Sequence, residues 1–220
     1  MNNLATFYFG NEKYRDERKC LRYLEDAAEA EYVKALHNLG VINYEGKLVP
    51  YDEEKAKNLI RRAAEKGDIE GRIMYTELLL NDANSCTFDQ LADLNKFCRE
   101  IIAKDEENSE AYYFLGIMLE EGYGVNKQPK TAFLYYTIAA SMHNDSALMK
   151  LGECYRNGFG VEQDLREAIR CYDKASKGNK EALVCLGYFL FHADKSTRRE
   201  VRISTPTIRK LGTTTTRPAT

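Results

Sequence analysis

The chain has 220 residues, 44% of them hydrophobic and 30% charged, with 32 Lys and Arg against 34 Asp and Glu for a formal charge of -2. That length can bury a substantial core, and the balanced charge excludes a protein that works as a whole by gripping nucleic acid or an anionic membrane. No run of about 18 apolar residues is present, so no transmembrane segment is expected, and the start of the sequence lacks a basic leader or an apolar run of signal length, which predicts a cytoplasmic protein.

The clearest internal feature is a phrase written twice. AYYFLGIMLEEGYGV runs from Ala111 to Val125 and ALMKLGECYRNGFGV from Ala147 to Val161, with Gly116 and Gly152, Gly122 and Gly158, and Gly124 and Gly160 each 36 residues apart. Self-similarity at a period of roughly 20 to 50 residues marks a stack of repeats. Taking the glycine of the L-G pair as the anchor, the copies fall near position 4, then at Gly40, Thr76, Gly116, Gly152 and Gly187.

Taken in order, the chain opens partway into a copy. Gly10, Asp16, Cys20, Leu24 and Ala27 stand 36 residues before Gly46, Asp52, Ala56, Ile60 and Ala63. Two origins fit this start, a shortened native first helix or a fragment of a longer array. Around each later anchor, apolar residues recur at spacings of three and four, as in Ala35, Leu36 and Leu39 or Ala147, Leu148, Leu151 and Tyr155, which predicts a first helix, A. The anchor glycine disfavours a helix by about 1 kcal/mol against Ala, so its expected purpose is close approach of a paired helix.

Six residues on, Gly46, Gly122 and Gly158 are expected to end helix A in a left-handed cap. Asp52, Gln128 and Asp164 are the expected N-caps of a second helix, B. That helix carries small residues at Ala56, Ala132 and Ala168 and at Ala63, Ala139 and Ala175, with Ile60, Tyr136 or Tyr172 between them. The copy from Gly71 to Glu110 departs from the pattern. Thr76 replaces the anchor, Asp82 the capping glycine and NDANSCTFDQ the G-x-G-V loop, with Asp89 as the expected N-cap and Ala103 in the position of Ala63, and a local bend or protrusion is expected there. The last helix A is expected to reach about His192. Beyond it the template fails, leaving an apolar face without its helix B.

The segment 194–220 is rich in Thr and Arg and predicted to be disordered. It holds seven basic residues against two acidic, so it carries +5 and the remainder -7. Six cysteines form no C-x-x-C pair and are read as reduced core residues. His37, His143 and His192 fall in different copies, and there is no H-E-x-x-H, P-loop or G-x-S-x-G. The G-x-G pairs lack a preceding strand and a third glycine, so helix capping is their expected role. No catalytic residue, metal site or small-molecule cofactor is predicted.

The pattern A-x-x-x-L-G-x-x-Y-x-x-G-x-G-V, then D-x-x-x-A and a further Ala, stands here as ALMKLGECYRNGFGV with Asp164, Ala168 and Ala175. It resembles the Sel-1-like repeat, a relative of the tetratricopeptide repeat. The resemblance is full in three copies, partial at both ends and weak between Gly71 and Glu110. It implies an all-α fold, a right-handed α-solenoid of antiparallel helix pairs with about five repeats over residues 1–193, followed by the basic tail. One bacterial branch carries a cysteine pair in each repeat, a pattern absent here. By the tetratricopeptide analogy the A helices line a concave groove, and the residues left for a partner are Lys34, His37, Tyr44, Tyr113, Ile117, Glu120, Met149, Glu153, Arg156 and Tyr188, with Val184 and Phe191 beside the last. The implied role is a non-enzymatic adaptor or scaffold binding a peptide or helical segment of another protein, with no nucleic acid expected. The alternative is a regulatory subunit tethered through the basic tail to an acidic partner or a membrane.

Overall fold

Several helices begin where a side chain accepts from their first free amides, and three of the A helices end at a left-handed glycine. The computed structural model describes residues 17–177 and 179–192, the side chains of 189, 190 and 192 excepted, and among these residues it contains ten α-helices and no strand. The expectations for position 4, Gly10, Asp16, the side chain of His192 and the tail lie outside the described residues. The helices are α1 (Glu17–Glu29), α2 (Val33–Glu45), α3 (Glu53–Glu65), α4 (Ile69–Asn81), α5 (Phe88–Lys104), α6 (Ser109–Glu121), α7 (Pro129–Ser141), α8 (Asp145–Asn157), α9 (Leu165–Ala175) and α10 (Lys180–His192), with a short 3-10 turn at Ala83–Ser85. The A helices are α2, α4, α6, α8 and α10, and the B helices are α1, α3, α5, α7 and α9. The chain divides into two units, Met1–Ile101 and Ile102–Thr220.

The predicted ends hold. Gly46, Gly122 and Gly158 close α2, α6 and α8 in the left-handed conformation, at φ 65°, 80° and 71°. Asp52 accepts from the Lys55 amide at 2.9 Å and Asp164 from the Arg166 amide at 2.9 Å. Gln128 stands at the N-cap of α7 without a side-chain bond to the backbone, and Pro129 at the first position has no N–H to leave unsatisfied. Caps of the A helices went unrecognised in the sequence. Asp68, Asn108 and Asn144 accept from the amides of Gly71, Ala111 and Ala147 at 2.8, 3.0 and 2.9 Å.

Within a pair, the anchor glycine does what its cost in helix propensity implies. A methyl group at Gly116 would lie 2.4 Å from Tyr136 Cε1, and one at Gly152 2.5 Å from Tyr172 Cε1. Both tyrosines are fully buried, as are Ala132, Ala139, Ala168 and Ala175 beside them. Gly160 serves a different purpose from the predicted cap. At φ 71° it lets its loop press on the start of α7, where an added Cβ would meet the Pro129 carbonyl oxygen at 2.2 Å.

The deviant copy is repacked. Its B helix, α5, is 17 residues long. The expected N-cap Asp89 is corrected to Thr87: the Gln90 side chain accepts from the Thr87 amide at 2.9 Å while the Thr87 hydroxyl accepts from the Gln90 amide at 3.3 Å, a reciprocal capping box that Asp89, already in the first turn, does not form. Ala103 is exposed, contrary to its expected packing role, and Leu94, Cys98 and Ile101 occupy the buried stripe. Thr76 is fully buried, and its hydroxyl donates to the Arg72 carbonyl at 2.7 Å. Burial pushes the facing Cys98 thiol up to about 12, with a Thr76 hydrogen bond pulling the other way.

Candidate functional site

The A helices place the predicted groove residues in two separate settings, one in each unit. In the first unit, α2 presents Lys34 and His37 one turn apart, and both reach the N-terminus of α4. The Lys34 ammonium lies 3.1 Å from Asp68 Oδ1 and 3.1 Å from Glu70 Oε2. The Asp68 bond first and then the Glu70 bond hold its pKa above the ordinary lysine value. His37 Nδ1 sits 2.9 Å from Asp68 Oδ2 and Nε2 4.0 Å from Glu70 Oε2. His37, Asp68 and Glu70 offer three ligand atoms within 4.8 Å of one another, a spacing a cation could use. The Lys34 ammonium also bridges the two carboxylates, in a salt-bridge cluster that joins successive A helices. Tyr44 is half-buried, with its ring 6.0 Å from that of Tyr51.

In the second unit, α6 and α8 are joined by the residues expected to face a partner. Glu120 accepts from the buried Tyr136 hydroxyl at 2.6 Å. Lys150 lies 3.5 Å from Glu120 and 3.1 Å from Glu153. Burial disfavours the Lys150 charge, but Glu153 and Glu120 outweigh it and leave the pKa raised. The Tyr136 phenol is raised well beyond its ordinary range, chiefly by burial and then by the bond to Glu120. Tyr113 is half-buried, its ring 6.2 Å from that of Tyr136, and burial raises its phenol against a hydrogen bond to Ser146 of α8. Ile117 packs against the same apolar cluster. Met149 is corrected from groove to core: it is buried with Ala168, Ile169 and Tyr172, because the neighbouring helices close over its face.

Of the predicted set, Lys34, His37, Tyr113, Ile117 and Glu120 make contacts that join or pack repeats, and Met149 lies in the core. Glu153 and Arg156 are partly exposed on α8, with Arg156 Nε donating to Asn157 Oδ1 at 3.1 Å. On α10, Val184, Tyr188 and Phe191 are 73%, 60% and 74% exposed. They stand at i, i+4 and i+7, one face of the helix. Arg156 is near enough to α10 for its charge to act on the Cys185 thiol, whose pKa burial raises. The arrangement offers an apolar and aromatic stripe on α10, with the Arg156 charge reaching the same helix at Cys185.

The Sel1 repeat family model matches residues 1–32, 33–68, 109–144 and 145–180, passing over the deviant copy. DAP3-binding cell death enhancer 1 of Rattus norvegicus is 31% identical over 182 residues, covering 81% of this chain and 35% of that protein. The Mus musculus protein of the same name is 29% identical, covering 78% and 33%. The chain thus spans about a third of the length of these curated relatives, at 35% and 33%. Among solved structures, c5321, a protective antigen of uropathogenic Escherichia coli, superposes with a TM-score of 0.74 at 20% identity over 100% of this chain and 49% of its own. A Sel1 repeat protein from Oxalobacter formigenes gives 0.67 at 24% identity, covering 96% and 86%. At these identities the likeness shows the fold, a helical-repeat α-solenoid.

Proposed function

The chain belongs to the Sel1 repeat family, and from that premise we propose that it is a non-enzymatic adaptor that holds a peptide or helical segment of another protein on the A-helix face of its second unit. Sel1 repeat proteins in general bind other proteins. The observation that carries the finer reading is the exposed α10 stripe of Val184, Tyr188 and Phe191, on the helix that the Arg156 charge reaches at Cys185. Aromatic and arginine side chains supply most of the energy at protein interfaces. An amphipathic helix with apolar residues at matching spacing would cover the stripe, and an acidic residue at its edge would meet Arg156. The rat relative's name gives DAP3 as its partner, which makes DAP3 the first protein to try here. No helix among the described residues is long and apolar enough to cross a membrane. A cytosolic setting is part of the proposal, in keeping with six free cysteines, four of them buried.

Site-specific photo-crosslinking tests the placement. A photoreactive residue at Tyr188 should trap a protein partner, DAP3 being tried first, whereas one at Arg170 on the outer side of α9 should not. Equal trapping at both positions, or none at 188, would sink the assignment.

A further inference from the structure

Three copies within this one chain show what an A helix receives at its anchor glycine. A methyl group at Gly40 would lie 2.6 Å from Ile60 Cγ1, one at Gly116 2.4 Å from Tyr136 Cε1 and one at Gly152 2.5 Å from Tyr172 Cε1. Each bulky residue stands between two alanines of its own helix, Ala56 and Ala63, Ala132 and Ala139, or Ala168 and Ala175, and all nine side chains are fully buried. The B helix thus presents A-x-x-x-(I or Y)-x-x-A to the glycine, with bulk in the notch and small residues on either side where the two backbones close in.

The same face of α10 is exposed. Gly187 is exposed where Gly40, Gly116 and Gly152 are buried, and an added Cβ there would meet no described atom within 4 Å. One turn earlier, Leu183 is 40% exposed, whereas Leu36 at the matching position of α2 is 0% exposed in a cluster with Leu59 and Ala63 of its B helix. The other side of α10 is packed: Ala182 and Leu186 belong to the buried cluster of Met149, Ala168 and Tyr172. The residues of this chain that stand to Gly187 as Ala56, Ile60 and Ala63 stand to Gly40 are Ile203, Thr207 and Lys210, with Pro206 among them. That order puts larger side chains where the alanines belong, a small one where the bulk belongs, and a proline where a helix interior needs an N–H.

We propose that the Gly187 face of α10 seats a helix of a partner polypeptide carrying A-x-x-x-(I or Y)-x-x-A, the pattern of this chain's own B helices. The seat repeats the helix-pair interface of the inner copies. It lies beside the stripe of Val184, Tyr188 and Phe191 and shares no residue with it, so the two readings fail separately. The probe is the α9 sequence as a peptide, residues 164–176 with Cys171→Ser and a lactam between positions 166 and 170, both exposed in α9, to hold the helix. It is titrated into the full chain while the Gly187 amide is followed by NMR. The peptide should shift that signal, and its Tyr172→Ala form should bind at least about tenfold more weakly, because a buried tyrosine is a frequent anchor of an interface. In the full chain, Gly187→Ile fills the notch without meeting a described atom, so it should not lower the melting temperature and should remove most of the binding. That substitution alters no side chain of the stripe, so trapping at position 188 and peptide binding at Gly187 are scored independently. No binding, equal binding of the two peptides, or binding unaffected by Gly187→Ile would overturn the proposal. Dimerisation of the free chain that Gly187→Ile abolishes, read by sedimentation, would give the face to a second copy, and tighter peptide binding by Ile203→Asp with Ile208→Asp would give it to the tail; either result overturns the partner reading.

Discussion

The α4–α5 pair of the first unit and the α6–α7 pair of the second solve one packing problem with opposite residues. In α6–α7 the anchor is Gly116 and the residue facing it is a full-sized ring, Tyr136. In α4–α5 the anchor carries a side chain, Thr76, and the facing stripe is narrowed to Cys98. The backbones of α4 and α5 approach each other far less closely than those of α6 and α7, so the side chain at the anchor goes with a wider helix spacing, in which Thr76 and Cys98 are both fully buried. The anchor glycine and the close approach are thus present together in one pair and absent together in the other.

The largest expected effect comes from filling the space at the close approach. Gly116→Thr should destabilise the second unit by about 3 kcal/mol, because its Cβ would overlap the Tyr136 ring and a well-packed core has little room to yield. Urea denaturation of Gly116→Thr, Tyr136→Cys and the double variant would show the coupling. The double variant should be more stable than the sum of the single losses predicts by about 1–3 kcal/mol, and simple additivity would show that the anchor and the ring do not share one space.

A smaller effect is expected from Tyr136→Phe, which keeps the ring but removes the donor to Glu120. Leaving a partly buried carboxylate short of one bond should cost about 1–3 kcal/mol at neutral pH. The sign of its pH dependence follows from the raised phenol: a group whose folded pKa lies above its unfolded value stabilises fully below that unfolded value, here 10.0, and the contribution is lost as pH rises beyond it. Buried thiols add the same trend from 9.0 upward, with Cys154 pushed up to about 12, mainly by burial. The melting temperature of the wild type should therefore fall through the alkaline range, and that of Tyr136→Phe should fall less steeply above pH 10.0. Parallel profiles would show that the phenol carries no such linkage.

The smallest effect has the opposite sign. His143 adopts φ 64° where the first unit has Gly67 at φ 89°. Left-handed backbone is unfavourable for a residue with a Cβ by roughly 1–2 kcal/mol, so His143→Gly should raise the melting temperature slightly, by about 0.5–1 kcal/mol of stability once the extra freedom of the unfolded chain is subtracted. A loss of stability would show that the imidazole makes a contact worth more than the strain.

These contrasts also show what the amino-acid order carries openly. Gly122 and Gly158, Asp52 and Asp164, and the alanines of α3, α7 and α9 are local signals, each tied to one backbone geometry, and they were legible. Thr87 was missed for Asp89 because a lone acid before a helix looks like a cap unless the reciprocal Gln90 is weighed with it. Cys98 was read as core with the other cysteines but not as the residue facing Thr76, because the longer α5 shifts the stripe and the position matching Ala63 pointed to exposed Ala103 instead. The candidate site was the least legible part. A helix face can be read from spacing, but whether the A helix of the next copy covers that face cannot, and it is this neighbour that turned Lys34, Glu120 and Tyr113 into links between repeats.

The central claim, that α10 and Arg156 form the partner-binding face, is tested most directly by capture with Tyr188→Ser and Phe191→Ser combined. Both side chains are exposed, so the variant should keep the helical circular dichroism and melting temperature of the wild type. The account predicts that the partner trapped at Tyr188 is no longer retained by this variant. Retention at the wild-type level, with the fold intact, would contradict it.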